Sequence, residues 1–181
     1  MKVLIVYDID HSWDAAEISE TRSSNRILYD ALREEGLETY LEELSDPHLE
    51  RILERHDPKH TIVFNLCETL PGTVYRERKV TEILERRGFT YTGNTPEVID
   101  LSYDKQRTKE LLTALGILVP DGAVLRPEEA HFWSLFPAIV KPSREHCSLT
   151  ISENSVVYDT VSLREQIRLV NRELNQPARV E

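Results

Sequence analysis

KVLIVY, residues 2–7, carries the first decision about the fold. Val3, Leu4, Ile5 and Val6 follow one another with no polar residue between them. A strand with one wet face alternates apolar and polar side chains, whereas an unbroken apolar run needs cover on both faces, as in a parallel sheet flanked by helices. TIVFN (residues 61–65) repeats the pattern. Between the two lies a polar loop from Asp8 to about Ser19. Ile27, Leu28, Ala31 and Leu32 then recur at helical spacing up to Gly36. A weak strand LETYL (37–41) follows, and then a short helix marked by Leu49, Ile52 and Leu53 and closed by Asp57-Pro58. Beyond TIVFN, Val80, Ile83 and Leu84 mark the inner face of a helix ending at Gly88, and FTYTG (89–93) is a last short strand. Strands alternating with helices over these lengths predict a doubly wound α/β domain over residues 1–93.

Residues 94–181 read differently. A helix from about Asp104 to Leu115 stops at Gly116, and strand candidates follow at GAVL (122–125), FPAIVK (136–141) and LTIS (149–152). Val161, Leu163, Ile167, Leu169, Val170 and Leu174 then line one late amphipathic helix, and ARVE (178–181) reads as a strand. Short strands with loops and a single covering helix predict an α+β unit on an antiparallel sheet. A chain that stops inside a strand suggests a fragment of something longer.

Composition removes several classes of function. With 22 basic against 32 acidic residues the net charge is −10, which argues against a general binder of nucleic acid or anionic membranes. The longest apolar runs, residues 3–6 and 136–140, are far too short to span a bilayer, and the first residues do not read as a secretory signal. Cys67 and Cys147 stand far apart with no CxxC spacing, as free thiols in a reducing compartment would. A cytoplasmic protein is expected. No GxGxxG, no GxxxxGK[ST] and no HExxH or paired Cys/His spacing is present, so neither a dinucleotide fingerprint, a Walker A loop nor a zinc site is predicted.

Three positions invite chemistry. Lys105 follows Asp104 at the start of a helix, where the dipole disfavours a cation unless an anion lies nearby; Lys109, four residues on, shares its face and repels it. The same pair also reads as a solvated face with Asp104 screening Lys105. Lys141 ends an apolar strand, and Pro142 is expected to stop the ladder there, so a rigid element would deliver a cation to the mouth of a loop holding Glu145, Cys147 and Ser148. A strand-end lysine snorkelling into water fits equally. Glu17 lies in the polar loop after the first strand, beyond the carboxyl end of the sheet where open α/β sheets bind ligands; a solvated acid is the plainer reading.

VFN (63–65) with LCE behind it, TYTGN (90–94), LSYDKQRTKELL (101–112) and VKPSRE (140–145), followed by Ser148 and Ile151, come in an order and spacing that resembles the D-alanine–D-alanine ligases. These belong to the ATP-grasp carboxylate–amine ligases. The resemblance covers most of the chain and is most specific from Tyr91 to Glu145. It implies a Rossmann-like pre-ATP-grasp domain over 1–93 and part of an ATP-grasp central subdomain over 94–181. It implies ATP and magnesium as cofactors and amino acids as substrates, joined through an acyl phosphate in the synthesis of peptidoglycan precursors; a homodimer stays open. By the same resemblance Lys105 and Lys141 contact ATP phosphates, and Glu145 and Ser148 line the nucleotide site. Glu181 begins the hinge strand that receives adenine, Glu17 helps position the first amino acid, and Cys147 takes the place of a hydroxyl.

Departures leave alternatives open. Where the family's phosphate-covering loop reads GSSxG, this chain has His146-Cys147-Ser148-Leu149-Thr150, without the glycines that let backbone approach phosphate closely. LCETLPG replaces the usual HG, and HSWDA replaces a glycine-rich entry. By the resemblance the family's metal ligands fall in a C-terminal domain beyond Glu181, so no metal ligands are expected in residues 1–181 and the chain is expected to be inactive alone. A non-catalytic or split-subunit relative that binds a partner domain, and an ATP-grasp ligase for a different acid and amine, remain alternatives.

Overall fold

A computed structural model describes residues 1–10, 12–70, 77–144 and 151–181, in two compact units, Met1–Ile99 and Asp100–Glu181. The first unit is built on four parallel strands in the order β2-β1-β3-β4: β1 (Lys2–Asp8), β2 (Glu38–Leu44), β3 (Thr61–Leu66) and β4 (Thr90–Tyr91). Three helices alternate with them, α1 (Ala15–Glu34), α2 (Leu49–Leu53) and α3 (Glu77–Arg86). Every residue of β1 from Val3 to Asp8 is buried. Leu4 and Val6 join Leu44, Leu53, Val63 and Leu84 in the core beneath α2 and α3, and alternation turns Val3 and Ile5 to the opposite face. The sheet is parallel, as the unbroken apolar runs predict, and β1 is buried on both faces, whereas β3 alternates buried with half-buried positions. At the helix ends Gly36 and Gly88 adopt φ of 79° and 76°, the left-handed turn that lets Leu37 and Phe89 bond back to the carbonyls of Leu32 and Leu84.

Several boundaries move. The polar stretch after β1 is not a loop up to Ser19, because α1 starts at Ala15. Asp14 accepts from the N–H groups of Ala16 and Glu17, and Glu17 reaches back to the Asp14 N–H at 2.8 Å, a reciprocal cap. Ile27 is 70% exposed, so the inward face of α1 does not follow the expected apolar recurrence; Asn25 is its buried residue. β2 runs to Leu44 rather than Leu41, in register with β1 from Lys2↔Glu38 to Asp8↔Leu44. As an edge strand it tolerates Glu42 and Glu43, the latter gripped by Nε and NH2 of the Arg22 guanidinium and by the Tyr7 hydroxyl. A helix that the apolar periodicity does not mark, α4 (Pro96–Tyr103), has proline in its first turn, where the absent N–H costs no bond.

The second unit sets α5 (Lys105–Ala114) and α6 (Thr160–Leu174) with an antiparallel sheet in the order β5-β8-β6-β7. Its strands are β5 (Ala123–Leu125), β6 (Ala138–Pro142), β7 (Val156–Val157) and β8 (Ala178–Val180). Leu163, Ile167 and Val170 of α6 pack on Ala138, Val140, Ala178 and Val180. Asp159 caps α6 through the N–H groups of Val161 and Ser162. Of the expected strand LTIS, Leu149 and Thr150 lie outside the described residues, and Ile151 and Ser152 are not in a strand. Ser152 leads into a 3-10 turn (Glu153–Ser155), and pairing begins after it with β7. Pro142 does not stop the ladder either. Ile139 and Ser143 donate to Glu181 and Pro177 on the β8 side, so the even-numbered positions direct their N–H the other way, and Pro142 pairs with Ala178 without losing a bond.

Candidate functional site

The last strand divides its work by parity. Ala178 and Val180 enter the apolar core with α6, so Arg179 and Glu181 stand on the opposite face. Lys141 is directly opposite Arg179 in the β6–β8 register and therefore shares that face. The start of α5 is tied to the end of β6: the Lys105 N–H donates to the Ser143 carbonyl at 3.2 Å, Asp104 bridges to Arg144, and the Arg144 guanidinium meets the Asp104 carboxylate at 2.9 Å. Asp104 also caps α5 through the N–H groups of Gln106 and Arg107. Burial lifts its carboxyl pKa, but those amides and Arg144 outweigh burial and hold it below the ordinary value.

With α5 fixed there, Gln106 and Lys109, three apart and so on one helix face, meet the charged face of the sheet. The Glu181 carboxylate is the meeting point. Its Oε1 accepts from Lys109 Nζ at 2.8 Å and Arg179 Nε at 2.7 Å, and its Oε2 from Lys141 Nζ at 3.0 Å. Arg179 also donates from NH1 to Gln106 Oε1, and Lys109 to the Pro120 carbonyl at 3.3 Å. Burial pushes the Glu181 carboxyl up, yet hydrogen bonds from Lys109, Arg179 and Lys141 overcome that and bring its pKa to about 2. Its side chain is 9% exposed, against 17% for Lys109 and 27% for Lys141. Among the described residues, then, three cations share one anion in a largely desolvated pocket, a surplus of two positive charges. Such a surplus is relieved by a further anion, and at reduced dielectric each added contact is worth more than in water. A cavity of about 590 Å³ borders this cluster at Gln106, Lys109 and Arg179, with Ile117, Val119 and Pro120 in its apolar wall and the acidic residues Glu110 and Asp121 also on its lining.

Of the residues singled out in the sequence, Lys141 and Glu181 are brought together here, and Lys105 forms the first residue of the helix beside them. Glu145, Cys147 and Ser148 lie outside the described residues. Glu17 is in the first unit, exposed, in the first turn of α1 rather than in a loop, with its carboxylate on the Asp14 N–H. Lys109, Arg179 and Gln106 were missed. The signal for Arg179 was present: a charge between two apolar residues of a strand reports the sheet's second face. At the carboxyl ends of β1 and β3, Asp8 is 4% exposed and accepts from the Glu68 N–H at 2.9 Å. Burial raises its pKa, and burial first, then the Asp8 charge, pushes the Cys67 thiol well up. Among the described residues no group of three His, Cys, Asp or Glu side chains could hold a metal ion, and no helix is long and apolar enough to cross a membrane.

No family model matches the chain. Among curated proteins it is 33% identical over 158 residues to an uncharacterized protein of Sinorhizobium fredii, covering 83% of this chain and 46% of that one. It is 30% identical over 144 residues to the D-alanine–D-alanine ligase of Nitrosospira multiformis, covering 77% and 45%. The chain thus spans just under half the length of the relatives it matches. Among solved structures, the D-alanine–D-alanine ligase of Bacillus anthracis complexed with ATP superposes with a TM-score of 0.69 at 20% identity, over 98% of this chain and 57% of that one, which shows a shared fold. The sequence matches and the common fold together make the chain similar to the D-alanine–D-alanine ligases.

Proposed function

We propose that the second unit binds the triphosphate of ATP at Lys109 and Lys141, with Glu181 holding those two lysines in place, as the nucleotide site of a carboxylate–amine ligase that joins D-alanine to D-alanine for peptidoglycan precursors. The observation that carries this reading is the convergence of Lys109, Lys141 and Arg179 on the single carboxylate of Glu181, the two lysines half-buried and Arg179 buried. ATP, when bound, would supply the γ-phosphoryl group that converts the first amino acid's carboxylate to an acyl phosphate with release of ADP, and the second amino acid's amine would then displace inorganic phosphate, with loss of a proton, to form the amide. Phosphoryl transfer depends chiefly on positioning and on offsetting negative charge. Lys141, held by a strand, and Lys109, held by a helix tied to that strand, offset that charge from fixed positions. Lys105 extends the cationic surface at the helix start. Glu145, Cys147 and Ser148, which follow Lys141 in the sequence, belong in this reading to the nucleotide side, and Glu17 to the amino-acid side. Among the described residues no group of three His, Cys, Asp or Glu side chains is placed to hold magnesium.

Calorimetry with ATP tests the reading. The chain is expected to bind ATP and inorganic tripolyphosphate, and Lys141→Met and Lys109→Met each to weaken both by about tenfold, the cost of one charge-assisted hydrogen bond. Unchanged affinity in both variants would refute it.

A further inference from the structure

Arg179 is the least exposed charged residue among the described residues of the second unit, with 3% of its side chain accessible. A guanidinium does not shed its proton on burial, so its position has to be compensated by partners. Those partners come from three directions. Glu181 takes Nε, Gln106 takes NH1 from 73 residues away, and the backbone of Gly122 closes against NH2. A Cβ at position 122 would lie 2.6 Å from Arg179 NH2, 2.8 Å from the Val180 carbonyl oxygen and 3.1 Å from Glu181 Cγ. Glycine at 122 is therefore a requirement of space, with no left-handed turn involved.

Fold stability alone does not account for this arrangement, because an apolar side chain of similar volume in place of a buried ion pair is often neutral or stabilising. The consequence lies in the carboxylate. Arg179 and Lys109 both hold Oε1, which leaves Oε2 to Lys141. With one oxygen anchored, the two lysine ammonium groups are held at the two ends of a single rigid anion. We infer that Arg179 is a positioning residue: with Gln106 and Gly122 it fixes the Glu181 carboxylate, and through it the spacing at which Lys109 and Lys141 meet a polyphosphate. The inference rests on the ATP-binding reading above, and Arg179 itself touches no ligand in it.

A double-mutant cycle on the full chain separates positioning from mere packing. ATP affinity is measured by calorimetry for the parent chain, Arg179→Met, Arg179→Lys, Glu181→Gln and the Arg179→Met/Glu181→Gln pair. Arg179→Met is expected to weaken ATP binding about tenfold, Arg179→Lys to restore part of that loss, and Arg179→Met on the Glu181→Gln background to change affinity less than about twofold. Affinity unchanged in Arg179→Met, or a full loss that persists on the Glu181→Gln background, would overturn the positioning role while leaving the nucleotide site standing. Absence of ATP binding by the parent chain overturns the site and the inference together. Should Arg179→Met fail to fold, Gln106→Leu removes the guanidinium's second acceptor from a half-buried helix position and is judged by the same cycle.

Discussion

Replacing Glu181 by Gln keeps the shape of the side chain and removes the one anion that the three cations share. Folded and ordinary pKa values of about 2 and 4.5 correspond to about 3 kcal/mol of stabilisation. Lys109 and Lys141 remain 17% and 27% exposed, and screening through them lowers the expectation to about 2 kcal/mol at neutral pH. The sign follows from the direction of the shift. The folded carboxyl titrates below the unfolded one, so its contribution is complete above about pH 4.5 and is lost as the pH falls toward about 2. The gap in unfolding free energy between the parent chain and Glu181→Gln should thus narrow from about 2 kcal/mol at pH 7 to about 1 kcal/mol near pH 3.5. Urea titrations followed by Trp133, which packs on the core of the second unit, in a Trp13→Phe background measure it. A gap that stays constant across this range, or is absent at pH 7, would show that the carboxylate is not held as the geometry requires.

Lys141→Met leaves Glu181 with Lys109 and Arg179, so the second unit should lose no more than about 1 kcal/mol of stability while ATP affinity drops about tenfold; thermal melts set beside calorimetry check the contrast, and a large melting shift with intact binding would make Lys141 a packing residue. Leu163→Ala empties a fully buried position under the antiparallel sheet and should cost about 2–5 kcal/mol in the transition reported by Trp133. Cys67, 4% exposed and with its thiol pushed well above the ordinary value by burial, should react with a thiol reagent at pH 8 only as fast as the first unit opens; labelling in the native state at the rate of a free thiol would contradict its burial.

What could be read from the sequence was whatever depends on local pattern. β1 and β3 were legible because an unbroken apolar run of that length, bounded by polar residues, fits a strand covered on both faces. α6 was legible because Leu163, Ile167 and Val170 recur at helical spacing and are buried. The start of α1 was written in Asp14 and Glu17, a reciprocal cap, but the surrounding polarity masked it. Lys141 was legible as a cation at the end of an apolar strand. Lys109 was visible only as a neighbour that repels Lys105, because the carboxylate that engages it is 72 positions further along. The placing of β8 between β5 and β6 is long-range topology, and no local period encodes it.

That placing also explains why a charged face and an apolar core coexist on so short a strand. Side chains of a strand alternate strictly, so shifting β8 by one residue against β6 would send Arg179 and Glu181 into the cluster of Val140, Leu163 and Ile167 and turn Val180 toward Gln106 and Lys109. Burying a guanidinium and a carboxylate among those aliphatic groups without partners costs several kcal/mol per ion, so the slipped pairing is excluded from both faces at once. The core selects the register through Ala178 and Val180, and α5 selects the same register through Arg179 and Glu181. The contacts that assemble the cationic cluster therefore specify the fold of the second unit as well, and a substitution within the cluster, such as Glu181→Gln, also removes one of the two guards on strand register.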